Sequence, residues 1–169
     1  LFDFPGNVQL GIISAMSSRA PVMPTISNVD LDGDGTATTP IPGVDFNCFN
    51  RGCDEQDLQQ AVAAFNQQFA GARDARGQLI GPVTLPADFA FGDSFSSQDI
   101  RVTKTFGTGS TTKLAVFVEV FNIFNVANLG GYSFNLSNSA TFGQPTNRAS
   151  QVFGSGGPRA FQLGGRFTF

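Results

Sequence analysis

The stretch Phe161-Gln162-Leu163-Gly164-Gly165-Arg166-Phe167-Thr168-Phe169 decides the fold. Its odd positions read Phe, Leu, Gly, Phe, Phe, and its even positions read Gln, Gly, Arg, Thr. Successive side chains leave a pleated backbone on opposite sides, so strict period-two alternation marks a strand with one apolar and one polar face. In a soluble two-layer protein, a bare strand with three Phe on one face is an edge hazard. In a membrane barrel the same strand makes sense. Phe161, Leu163, Phe167 and Phe169 would face lipid, and Gln162, Arg166 and Thr168 a wet lumen.

These nine residues also resemble the C-terminal signal of bacterial outer-membrane barrels. That signal is a polar residue, a Gly two later, and two aromatic or apolar residues ending the chain. Gln162, Gly164, Phe167 and Phe169 occupy those places. The resemblance implies recognition by the barrel-assembly machinery. The plainer alternative is an ordinary amphipathic strand that ends the sequence.

Composition sets the outer bounds. With 169 residues and a net charge of −3, the chain has the length of one soluble domain and is a poor partner for nucleic acid. It opens Leu1-Phe2-Asp3-Phe4-Pro5, with neither a Met nor a basic region ahead of an apolar one. The expectation is a cut rather than a signal peptide. The longest apolar run, Leu114–Val118, is far short of the ~20 residues a membrane helix needs. The chain therefore avoids the membrane or crosses it as strands. Phe is heavily used (19 residues), Trp is absent and Tyr132 is the one Tyr. Barrel girdles favour Trp and Tyr, so this departs from the usual pattern.

Four strands are expected. Residues 7–17 place Val8, Leu10, Ile12 and Met16 on one face, with Ile13 and Ser14 breaking the alternation. Residues 96–106 set Ile100, Val102 and Phe106 against Asp99, Arg101, Thr103 and Thr105. Lys104 falls on the apolar face, tolerable where its ammonium can snorkel to an interface. Residues 113–125 carry Leu114, Val116, Val118 and Val120 on one face, and Ala115, Phe117, Glu119 and Phe121 on the other. Glu119 mid-strand needs a wet lumen or a partner, and Arg101 lies across the hairpin from it. The expectation is that Arg101, Glu119 and Arg166 face the lumen. Residues 159–169 close the set, and 107–112 form a short hairpin connection. Leu1–Gly6 reads as a turn or a strand remnant.

Two long segments remain, 18–95 and 126–158, expected as external loops. The first is strongly acidic. It contains Asp30-Leu31-Asp32-Gly33-Asp34-Gly35, which resembles the first half of a calcium loop, and Asp30, Asp32 and Asp34 are its candidate ligands. Ile41 stands where a closing Glu belongs. A solvated Asp/Gly turn is the simpler reading, and no other cofactor is expected. Cys48 and Cys53 cannot build a zinc site in a chain with no His. A local disulfide is expected, in keeping with an oxidising compartment. Asp54–Ala70 is the one expected helix, capped by Asp54, striped with Leu58, Ala61, Val62, Phe65 and Phe69, and ended by Gly71. In the second segment Phe134, Phe142 and Phe153 are expected to tether the chain.

Long and short connections alternate, as in outer-membrane barrels. Four strands cannot close a barrel, so the chain would be a C-terminal piece or pair with other chains. The runs Asp99–Phe106 and Glu119-Val120-Phe121-Asn122-Ile123-Phe124-Asn125, with the Asp loop and Ala140-Thr141-Phe142-Gly143, resemble the end of a TonB-dependent outer-membrane transporter of the Oar-like, carboxypeptidase-regulatory-like-domain group. The resemblance covers most of residues 7–17 and 96–169. It implies an all-β, mainly antiparallel fold: the last four or so strands of a transmembrane barrel, with one helix in an extracellular loop. It further implies a Gram-negative outer-membrane location, lipid around the barrel, an N-terminal plug not contained in these residues, and coupling to the TonB complex through that part. The alternatives are a passive porin, an adhesin-type barrel, or a secreted β-rich adhesin. With no His, Ser-His-Asp or Cys-His chemistry within the chain is excluded, and no enzyme is expected.

Overall fold

The computed structural model describes residues 1–107, 112–150, 152 and 154–169. The elements in chain order are β1 (Phe2–Phe4), β2 (Val8–Ser17), β3 (Thr25–Ser27), β4 (Thr38–Pro40), α1 (Glu55–Phe69), β5 (Phe95–Gly107), β6 (Lys113–Phe121), β7 (Leu129–Gly130), β8 (Asn147–Arg148) and β9 (Ala160–Thr168). The fold is mainly antiparallel β with one helix. The chain divides into two compact units: Leu1–Ser18, Ser94–Leu129 and Asn147–Phe169 form the first, and Arg19–Asp93 with Gly130–Thr146 the second.

The first unit is a five-stranded sheet in the order β1-β2-β5-β6-β9. Every neighbouring pair in it is antiparallel. Among the described residues the sheet is open, with β1 and β9 at its edges, and it does not close into a barrel. The four long strands are those expected. The fifth, β1, arises where the sequence suggested a turn or remnant. Gly6 (φ 80) and Asn7 (φ 58) take left-handed conformations there, reversing the chain so that Asp3 pairs with Gln9. Between β5 and β6 the last pair is Gly107 with Lys113. Residues 108–111 of the expected hairpin connection lie outside the described residues.

Alternation and register together sort the side chains. Ile12, Ile100, Val120 and Phe161 form one cross-strand row, and Leu10, Val102, Val118 and Leu163 the next. Val8, Lys104, Val116 and Gly165 follow, then Phe106, Leu114 and Phe167. Lys104 is the one charge in these rows. Its ammonium donates to the Gly6 carbonyl at the end of the sheet, so the stem covers apolar surface while the head leaves it. This face is not buried: Phe161 is 73 % exposed and Leu163 74 %.

Strand β6 stops at Phe121, short of the expected 125. Asn122 (φ 48) and Asn125 (φ 52) are both left-handed, which ends the pleat. Asn122 is buried. Its side chain accepts from the Val126 amide (3.0 Å) and donates to the carbonyls of Val126 (2.9 Å) and Gly157 (2.7 Å). Its backbone amide donates to Asp99 (2.8 Å). Asn128 (φ 46) does the same further on, holding Ser96 and the Gly156 carbonyl.

The second unit is built from segments expected as long loops: 19–93 out of 18–95, and 130–146 out of 126–158. Among the described residues, every buried apolar side chain of the core belongs to it, from Val22 and Ile26 through Phe49, Leu58 and Phe65 to Leu136 and Phe142. Helix α1 carries the expected cap: Asp54 accepts from Gln56 and Asp57 amides, and Asp57 closes a capping box. Leu58, Ala61, Val62 and Phe65 are its buried stripe, and Gly71 follows with φ 85. Segment 130–146 joins the core through Thr25, whose amide donates to Phe134 (2.9 Å) and whose carbonyl accepts from Leu136 (2.8 Å). Phe142 is fully buried against Phe134 and Phe89. Phe153 lies outside the described residues.

Candidate functional site

The polar face of the sheet brings together the charged residues singled out in the sequence. Arg101 and Glu119 are direct strand partners, and Nη1 of the arginine lies 3.8 Å from the carboxylate. They share one face, as the hairpin reading required. Their contact exceeds a hydrogen bond and is partly open to water, so it contributes roughly 0–1 kcal/mol. Arg101 also lies over the Phe117 ring, 3.8 Å from its centroid. Phe117 in turn lies over Gly164, its strand partner on β9. A Cβ on Gly164 would meet the ring at 2.3 Å. Gly164 therefore has a packing role: without a side chain there, the ring drops onto the backbone and supports the guanidinium. Sequence reasoning missed this. The available signal was an aromatic on the polar face of a central strand, facing a glycine.

Arg166 projects from the same face, opposite Ala115. Among the described residues the salt bridges are Arg76–Asp74 and Arg101–Glu119, so Arg166 has no carboxylate partner. Asp99, buried on this face, is committed to the Ser97 hydroxyl and the Asn122 amide. Several recesses open along the polar side. One of about 410 Å³ is lined by Gln9, Arg101, Thr103, Phe117 and Arg166, and one of about 310 Å³ by Ile13, Asp99, Arg101 and Glu119. A third, about 540 Å³, lies toward Asp3, Thr105 and Lys113. Gln162 pairs with Glu119, while Phe167 pairs with Leu114 on the apolar face. Phe169 follows β9 and is 93 % exposed.

In the second unit, Asp30, Asp32 and Asp34 do converge, with one oxygen from each within 4.8 Å of the others. Hard oxygens at that spacing suit Ca²⁺. Asp30, however, is buried and spends its two oxygens on the amides of Gly33 (2.7 Å) and Gly35 (3.2 Å). Asp34 accepts from Thr36, whose amide and then side chain hold its carboxyl below the ordinary value. Ile41, at the closing position, is a core residue. The loop's own amides organise it, and the exposed Asp32 and Asp34 keep spare acceptor capacity. Beside it, Asp74 accepts from the amides of Asp30, Arg76 and Gln78. Burial pushes its carboxyl up, but these bonds and the Arg76 side chain outweigh burial, and it lies below the ordinary value. Cys48 and Cys53 form a disulfide. Between them Phe49 is fully buried and stacks on Phe91.

No helix among the described residues is long and apolar enough to cross a membrane. In comparisons with family models, curated proteins and solved structures, the chain matches none of them.

Proposed function

We propose that this chain is the C-terminal barrel portion of a TonB-dependent outer-membrane transporter, engaged in the energised uptake of a scarce large solute. The observation that carries the reading is the two-faced sheet. Its apolar rows are uncovered, with Phe161, Leu163, Phe167 and Val118 all exposed, while Arg101, Glu119, Gln162 and Arg166 share the other side. Monomers in water rarely expose contiguous apolar patches beyond a few hundred Å². Lipid is the solvent that suits this face, and a wet lumen suits the other. Strand lengths support the reading: β2 has 10 residues, and β6 and β9 have 9 each, against about 9–11 for a membrane-crossing strand. So does the connectivity. Ser17 pairs with Phe95 and Phe121 with Ala160, so both long excursions leave and rejoin the sheet at one end. That end would be extracellular. On this reading Arg101, Glu119 and Arg166 face the lumen. Gln162, Gly164, Phe167 and Phe169 serve barrel assembly, and plug and TonB contacts belong to residues beyond this sequence.

The test is fractionation of the full-length natural product, followed by a heat-modifiability gel. Recovery from the outer membrane of a heat-modifiable protein larger than this chain is the expected outcome. A soluble product would reject the barrel and favour the secreted adhesin. Planar-bilayer recording of the full-length protein separates the remaining readings. A plugged transporter stays closed, whereas a steady open conductance would identify a passive porin.

A further inference from the structure

We propose that the recess between Arg101 and Arg166 on the polar face is a binding subsite for an anionic group, a carboxylate or a phosphate, on the solute. The inference rests on the reading of that face as water-lined, and it names the chemistry the face selects. Three observations carry it. First, the recess of about 410 Å³ is lined by the guanidinium groups of Arg101 and Arg166 and the polar side chains of Gln9 and Thr103, beside the apolar Leu1, Ala115 and Phe117, and among the described residues no carboxylate lines it. Second, Arg101 is pre-positioned. The Phe117 ring supports it on one side at 3.8 Å, and that ring is seated on Gly164. A guanidinium held in one place loses less freedom when it binds. Third, its donors are not used up. Glu119 lies 3.8 Å away, beyond hydrogen-bond reach, and the Arg101 side chain stays 45 % exposed while that of Glu119 is 15 % exposed. Planar forks of donors suit carboxylate and phosphate oxygens, which accept two parallel bonds. Arg166, with no carboxylate partner among the described residues, supplies the second fork.

The experiment is isothermal titration of the full-length protein, in detergent if it is membrane-bound, with citrate, with pyrophosphate, and with uncharged sucrose as the control. At least one anion is expected to bind and sucrose not to. Arg101→Gln and Arg166→Gln should each weaken that binding about tenfold or more, the scale of a lost charged hydrogen bond. Lys113→Gln should change it less than twofold, because Lys113 shares the face but does not line this recess. Preference for citrate identifies a carboxylate solute and preference for pyrophosphate a phosphorylated one. Binding of neither anion overturns the proposal. So does equal weakening by all three variants, which would mean diffuse charge rather than a site. Retained heat-modifiability or circular dichroism shows that each variant folds. A soluble product would remove the transporter reading, yet the titration would still decide the recess.

Discussion

Asn122 ends β6 with a left-handed backbone, and its buried amide holds Val126 and Gly157. Alanine there would meet the αL penalty, roughly 1–2 kcal/mol, and leave buried partners unsatisfied at a further ~1–3 kcal/mol. Asn122→Ala is expected to lower stability by about 3 kcal/mol in urea unfolding of the full-length protein, and Asn122→Gly to recover the backbone part alone. Equal stability of Ala and wild type would show that the side-chain bonds are dispensable. Asp74 gives a pH signature. Its folded carboxyl lies below the ordinary value, so its stabilisation is complete above the unfolded value of ~3.9 and is lost as pH falls through the lower folded one. Asp74→Asn should therefore flatten the acid limb of the stability profile below about pH 4 and leave its shape at neutral pH unchanged. An unchanged acid limb would mean that this carboxylate titrates alike in both states. Neither role was legible in the sequence. Asn122 read as strand, because an asparagine within an alternating run carries no sign of a left-handed backbone. Asp74 lies in a strongly acidic segment with nothing to single it out, because the Asp30 amide, 44 positions away, meets it only after folding.

Helix α1 and the disulfide just before it act as one element. Cys53 directly precedes the capping residue Asp54, and the Cys48–Cys53 bridge holds Phe49 in the core of the same unit. Closing so short a loop is worth about 2 kcal/mol in the chain-entropy model. Reduction is expected to raise amide exchange in the first turn of α1 and around Phe49, read by hydrogen-exchange mass spectrometry with and without reductant. Unchanged protection would show that core packing alone fixes the element. Local elements of this kind were legible. The cap, the apolar stripe and the terminal glycine of α1 all lie within a few turns of one another, and the pairing of Arg101 with Glu119 followed from a short hairpin. The three-residue strands β3 and β4 were not legible, since so short a run has no period to detect.

Across the whole molecule, the decisive contrast is between neighbours on β9. Leu163 lies on the exposed apolar face and Gln162 on the polar one. If the apolar face meets lipid, Leu163→Arg costs about 2–4 kcal/mol and Gln162→Arg close to nothing. The folded, heat-modifiable fraction in outer membranes should fall for the first substitution and hold for the second. Equal behaviour would place both faces in water. The sequence by itself determined the strands β2, β5, β6 and β9, their two faces, the helix and its cap, because each depends on residues a few positions apart on a regular backbone. Only the tertiary structure decided that 19–93 and 130–146 build a packed core, because Val22, Leu58, Leu136 and Phe142 come from distant, non-periodic segments. It also decided that Gly164 seats Phe117 beneath Arg101, since that stack spans three strands and exists only once their register is set.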